Sequence, residues 1–158
     1  MKKIIKNVVL VVMVLMVMIG LAGCTKENTE YKAYVIHNGS YDIGKDTKKI
    51  IDNKQELKDF CDELESDLDI ADKYDENFFK NKSLAIMSVE LGNSAESITI
   101  KKVSKEGNNV KIEYEIDSPK DKVGLTVMTK DYIVVEVDKD IKGIEEHNSY
   151  IPPEIVLH

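Results

Sequence analysis

Two sulfurs, Cys24 directly behind a long apolar run and Cys61 in the middle of the chain, are the first candidates for chemistry. The histidines, His37, His147 and His158, are scattered and lack the short spacing of zinc ligands. The sequence holds no HExxH, CxxC, Gly-rich phosphate loop or GxSxG, and its serines have no base placed beside them. One acidic stretch, with Asp67, Asp69, Asp72, Asp75 and Glu76, has ligand types suited to a divalent cation. An EF-hand, however, needs a ligand where Ala71 stands and a central glycine that is missing here. The stretch is expected to be a solvated acidic loop, with solute or metal binding at 67–76 as the alternative. No enzyme activity and no cofactor are expected.

Cys24 makes sense only with the residues before it. Lys2, Lys3 and Lys6 form a positive start, residues 8–20 are apolar throughout, and Ala22 and Gly23 are small. That is the layout of a secretory signal, and the apolar run is short of the ~20 residues that cross a bilayer. Leu21-Ala22-Gly23-Cys24 resembles the lipobox of bacterial lipoproteins, in which the thiol takes up diacylglycerol and the chain is cut just before it. The implied chemistry fits the residue types: small side chains admit the backbone to a peptidase cleft, and the thiol is the nucleophile. Two or more acyl chains give a stable anchor where one is marginal. The chain is therefore expected to comprise a signal at 1–23, a lipidated Cys24 with a polar tether to residue 30, and one domain over 31–158. Membrane lipid is its first expected partner, on the extracytoplasmic face. Extended, residues 25–30 reach on the order of 20 Å.

Without the leader, 158 − 23 leaves 135 residues, and 22 − 3 basic against 29 acidic side chains leaves a charge of −10. Such a surface does not seek nucleic acid. All basic residues are lysine, which disfavours bidentate recognition of carboxylate or phosphate. With Cys24 used by lipid, Cys61 has no disulfide partner, so the domain must be held by its core.

The elements that position these groups are legible from periodicity. "YKAYVIHNGSY" from residue 31 reads as a strand ending in turn formers, and Ile50-Ile51 as a short extended piece. "DNKQELKDFCDELESDL" reads as a helix capped by Asp52 or Asn53, with Gln55 or Glu56 completing a capping box. Its apolar stripe is Leu57, Phe60, Cys61, Leu64 and Leu68, which makes Cys61 a core residue rather than a nucleophile. Phe78 and Phe79 are expected to pin the acidic loop. "SLAIMSVEL" is apolar on nearly every residue, as a central strand is, and "ESITIKKVS" alternates until two lysines mark a bulge or change of face. After a turn at "EGNN", "VKIEYEID" alternates without a break. "LTVMTKDYIVVEV" gives one strand, or two broken near Lys130-Asp131, and the tail with Pro152-Pro153 reads as extended or loosely docked. The expected fold class is α+β: an antiparallel sheet of four to six strands with one amphipathic helix on one face.

Residues 77–139 resemble the PrcB C-terminal domain family, a group of protease-complex proteins common among bacterial lipoproteins. The resemblance rests on Gly92 at the end of a strand, the turn at Gly107, Pro119 in a loop, Tyr132-Ile133-Val134-Val135 in the last strand, and Glu56-Leu57 in the preceding helix. It departs at Ala95-Glu96-Ser97, where members carry a Gly-Gly-Tyr-like turn, and at Asp131, where they often have proline. It implies a non-catalytic protein-binding module, a partner or stabiliser of a secreted protease. The implied binding surface is Gly92, Asn93, Ser94 and Glu96, with residues 118–124 and with Asp131 and Tyr132.

Overall fold

The computed structural model describes residues 31–37, 46–64, 70–118 and 128–149. The leader, Cys24 and the tether lie outside them, as do Leu68, Asp67, Asp69, Pro119, the Pro-Pro tail and His158. The elements run β1 (Ala33–Ile36), β2 (Lys48–Ile51), α1 (Lys54–Glu63), α2 (Glu76–Asn81), β3 (Lys82–Leu91), β4 (Ser97–Glu106), β5 (Asn109–Asp117), β6 (Thr129–Asp138) and β7 (Gly143–Asn148).

The fold is strand-dominated α+β, with two sheets in place of the single one expected. β1-β6-β3-β2 form an antiparallel sheet of four strands; β4-β5-β7 form a second of three. β3 and β6 explain why both exist. Along β3, Ala85, Met87, Val89 and Leu91 join the core shared with the second sheet, whereas Leu84 and Ile86 face a separate core under the helices. β6 divides likewise: Ile133, Val135 and Val137 on one side, Tyr132 and Val134 on the other. Side chains alternate along a strand, so a strand apolar at every position must be covered twice. The first sheet is thus the middle layer of three.

The half-buried alternation of β5 places Val110, Ile112 and Tyr114 against that middle layer. β4 runs antiparallel to it through a bulge between Ile100 and Lys102, at the two lysines noted in the sequence. Between β4 and β5, Gly107 takes φ 63°, a left-handed conformation that glycine alone adopts without cost. The tail segment Gly143–Asn148 forms β7, parallel to β5.

Asn53 caps α1, its side chain accepting from the Glu56 amide at 2.8 Å, while the Glu56 carboxylate accepts from the Asp52 amide at 3.1 Å. Leu57, Phe60 and Cys61 are the buried residues of α1, and the Phe60 ring meets Tyr132 edge-on at 6.1 Å. A second helix, α2, was not expected. Asp75 caps it by accepting from the Phe78 amide at 2.9 Å, and Phe79 is buried. Six residues are too few for a helical period to register in the sequence.

Candidate functional site

Strand direction sorts the connections between two poles. Leu91 lies opposite Thr129, Ile36 opposite Tyr132, Ser97 opposite Asp117, and Asn148 opposite Tyr114. One pole therefore gathers the ends of β1, β3, β5 and β7 with the starts of β2, β4 and β6. The other gathers the start of β1, the β4–β5 turn and the β6–β7 connection. Strands of ten residues separate the two by ~30 Å.

The chain enters at the second, near pole. Tyr31 is buried there and donates its hydroxyl to Asp138 at 3.1 Å, and Lys82 pairs with the same carboxylate at 2.6 Å. The Lys82 hydrogen bond, with help from Tyr31, holds the Asp138 carboxyl below the usual carboxylate range. Beside it, the fully buried Ser83 donates to Asp52 at 2.5 Å and is the main cause of a lowered Asp52 carboxyl.

The far pole carries the loop that the family resemblance singles out. Asn93 Oδ1 accepts from the amides of Ala95 (2.8 Å) and Glu96 (3.1 Å), a local turn held by an Asn side chain. The Glu96 carboxylate closes the loop. It accepts from the Gly92 amide at 2.7 Å, Asn93 Nδ2 at 3.1 Å and Ser118 Oγ at 2.8 Å, tying the loop to the end of β5. Gly92 and Ser94 are exposed on it. Four of the expected surface residues are thus brought together, with Ser118; residues 119–124 lie outside the described part.

Asp131 and Tyr132 do not join them on the surface. Tyr132 is 1 % exposed beneath α1 and Asp131 is 3 % exposed, because β6 lies between β1 and β3 rather than at an edge. Asp131 instead anchors the end of β1, at 2.7 Å from His37 Nδ1. Lys130, also buried, places its ammonium 3.6 Å from Glu90.

Next to the loop, the two sheets part on their β2–β7 side to leave a cleft of about 520 Å³. Asp46 and Lys48 border it from β2 and its approach, Ser88 and Glu90 from β3, Tyr114 from β5 and Glu146 from β7. Thr47 donates its amide to Ser88 Oγ at 2.7 Å, which pins the rim of β2 to β3. Lys48 Nζ reaches Glu146 across the two sheets at 3.0 Å. Burial, then the charge and hydrogen bonding of Glu146, push the Tyr114 phenol up to about 12. No local sequence pattern points to this cleft, because four strands distant in the chain supply it.

The remaining candidates fall elsewhere. Cys61 is 8 % exposed in the core under α1, and burial, followed by the neighbouring Asp62 charge, raises its thiol pKa. His147 is exposed on β7, in register with Glu113. Of the acidic stretch, Asp75 is occupied as a helix cap. Among the described residues no group of three or more His, Cys, Asp or Glu is placed to hold a metal, and no helix is long and apolar enough to cross a membrane. Compared with protein-family models, with curated proteins and with solved structures, the chain finds no match in any of the three.

Proposed function

We propose that this protein is a membrane-anchored extracytoplasmic lipoprotein that acts as a non-catalytic protein-binding module. The observation that carries the reading is the separation of the poles. The chain enters at Tyr31, only 31 − 24 = 7 residues after the cysteine of the lipobox, and Tyr31 is tied to the near pole. The stapled 92–97 loop and the cleft lie at the other end of the strands. An anchor at Cys24 holds the near pole at the bilayer and offers the far pole outward. The resemblance of residues 77–139 to the PrcB C-terminal domain supports a secreted protease as the partner, held or stabilised at the cell surface.

The test is cross-linking of the native lipoprotein in intact cells, followed by extraction in mild detergent and identification of what co-purifies. A Cys24→Ala form controls for anchoring. A stoichiometric secreted protein, lost when residues 92–97 are replaced by a Gly-Ser linker, is the expected result. Recovery of no such protein across growth conditions rejects the reading.

A further inference from the structure

Charge divides the molecule along the axis that joins the poles. The near-pole connections, residues 52–54, 80–82, 105–109 and 138–142, carry six lysines and four carboxylates. Those at the far pole, residues 46–48, 90–97, 117–118, 129–131 and 146–148, carry two lysines and six carboxylates. The near pole is thus positive in a chain whose charge without the leader is −10. Each of its carboxylates already holds an ammonium: Asp52 that of Lys139, Asp138 that of Lys82, Asp140 that of Lys105, and Glu106 that of Lys111 on β5. Three lysines remain: Lys54 is exposed at the start of α1, Lys80 donates to Asn77 Oδ1 at 2.8 Å, and Lys142 to the Lys139 carbonyl at 3.0 Å. Among the described residues none of the three forms an ion pair. They belong to one surface, because Lys139 donates to the Asp52 carbonyl beside α1 and Ser83, next after Lys82, bonds the Asp52 side chain. Asp52 registers the surplus: its carboxyl is lowered first by Ser83 and then by the charges of Lys139 and Lys142.

We infer that the near pole seats on anionic phospholipid headgroups, with the ammoniums of Lys54, Lys80 and Lys142 facing their phosphates. This inference rests on the lipid-anchor reading above, which brings a bilayer to this end of the molecule. The tether, with Lys26 against Glu27 and Glu30, changes the local balance by one charge only. It reaches on the order of 20 Å, so lipid alone leaves the domain on a leash, and the lysines close the gap. Screening makes the division of charge decisive. The field of a charged bilayer decays over ~8 Å at physiological ionic strength, whereas the far-pole carboxylates lie ~30 Å away along the strands. The bilayer therefore attracts one end of an acidic protein and leaves the other beyond its reach. Each lysine near an anionic surface favours the seated state by up to about fivefold. An anionic polymer of the envelope offers similar charge, but the tether places this pole at the bilayer.

The test reconstitutes the acylated lipoprotein in phosphatidylcholine vesicles with and without phosphatidylglycerol. A donor fluorophore on Asn108→Cys, in a Cys61→Ala background, reports energy transfer to acceptor-labelled headgroups; one on Met128→Cys reports the far pole. Phosphatidylglycerol should raise transfer at the near pole and lower it at the far one, and high salt should undo both changes. Lys54→Gln, Lys80→Gln and Lys142→Gln together should remove the response, with an unchanged thermal midpoint to show that the domain is folded. Lys54→Arg, Lys80→Arg and Lys142→Arg together should keep it. Equal transfer in the two lipids, or a response that survives the glutamine substitutions, overturns the inference. Release by inorganic phosphate beyond that by chloride at equal ionic strength also overturns it, in favour of a site for free phosphate. Seating that needs a lipid-linked polyphosphate and ignores phosphatidylglycerol overturns it in favour of an envelope polymer. Co-flotation with the vesicles reads the anchor separately. Protein that fails to float sinks the anchor reading and this inference with it; protein that floats but ignores phosphatidylglycerol sinks this inference alone.

Discussion

Single residues here are set apart by what their neighbours already use. Glu96 looks in the sequence like one more surface acid, yet its carboxylate accepts from three donors and closes the 92–97 loop onto Ser118. Glu96→Ala leaves the Gly92 amide and the Ser118 hydroxyl without that acceptor, and the expected cost is ~1–2 kcal/mol, read by urea denaturation. Faster amide exchange at Gly92 should accompany it; an unchanged Gly92 rate would show that the carboxylate does not hold the loop. Cys61 makes the opposite point, because a residue able to do chemistry is buried where it cannot. Its raised thiol pKa and 8 % exposure imply that a thiol reagent at neutral pH labels the native protein far more slowly than the urea-unfolded one. Equal rates would remove Cys61 from the core. The near-pole carboxyls set an acid limit. Asp138, through Lys82, and Asp52, through Ser83, both have lowered folded pKa values. Their stabilisation is therefore complete above the ordinary carboxylate value near 3.9 and is lost as pH falls through the lowered values. Asp138→Asn should flatten the dependence of stability on pH below about 4 and leave its slope near neutrality alone, in thermal melts across that range.

Elements were legible in proportion to their length and to how much of their covering lies nearby in sequence. The stripe of α1, the hairpin at Gly107, the bulge at the paired lysines and the alternation of β5 are local patterns, and each appears where the sequence places it. β3 was legible as a central strand but its second cover was not, since the apolar run of Leu84 to Val89 says only that both faces are buried. What buries them is decided by strands far along the chain. β7 is the extreme case: Gly143–Asn148 has mostly exposed side chains and is a strand because it pairs in parallel with β5. The far-pole loop was legible as the break between two strand patterns, and the cleft beside it was not legible at all. Burial of Asp131 and Tyr132 escaped for a related reason, because a polar residue inside an apolar run gives no sign of which neighbour covers it. Gly107→Ala tests the hairpin. No atom lies within 4 Å of the added methyl, so the expected loss of ~1 kcal/mol is conformational alone. A denaturation midpoint equal to wild type would show that the turn tolerates the positive φ with a side chain.

At the scale of the molecule, the proposed lipid anchor at Cys24 makes function turn on which end of a three-layer sandwich would face the membrane. Two features at opposite ends of the strands decide it: Tyr31, held by Asp138 at the near pole, and the loop-and-cleft pole about 30 Å away. A tether on the order of 20 Å at full extension is shorter than that separation. If Cys24 carries the proposed lipid, the molecule therefore cannot invert without releasing Tyr31 or losing that anchor. Met128, 57 % exposed beside the start of β6, marks the far pole, and Asn108, exposed in the β4–β5 turn, marks the near one. In a Cys61→Ala background, Met128→Cys and Asn108→Cys provide one thiol at each end. A bulky maleimide polymer added to intact cells should modify the far-pole thiol severalfold faster than the near-pole one, because the bilayer and its surface polymers crowd the latter. Cys24→Ala releases the domain, and the two rates should then converge on those of the detergent-extracted protein. Similar rates on intact, anchored cells would mean that the domain tumbles freely on its tether, and the outward presentation of the far pole would have to be abandoned.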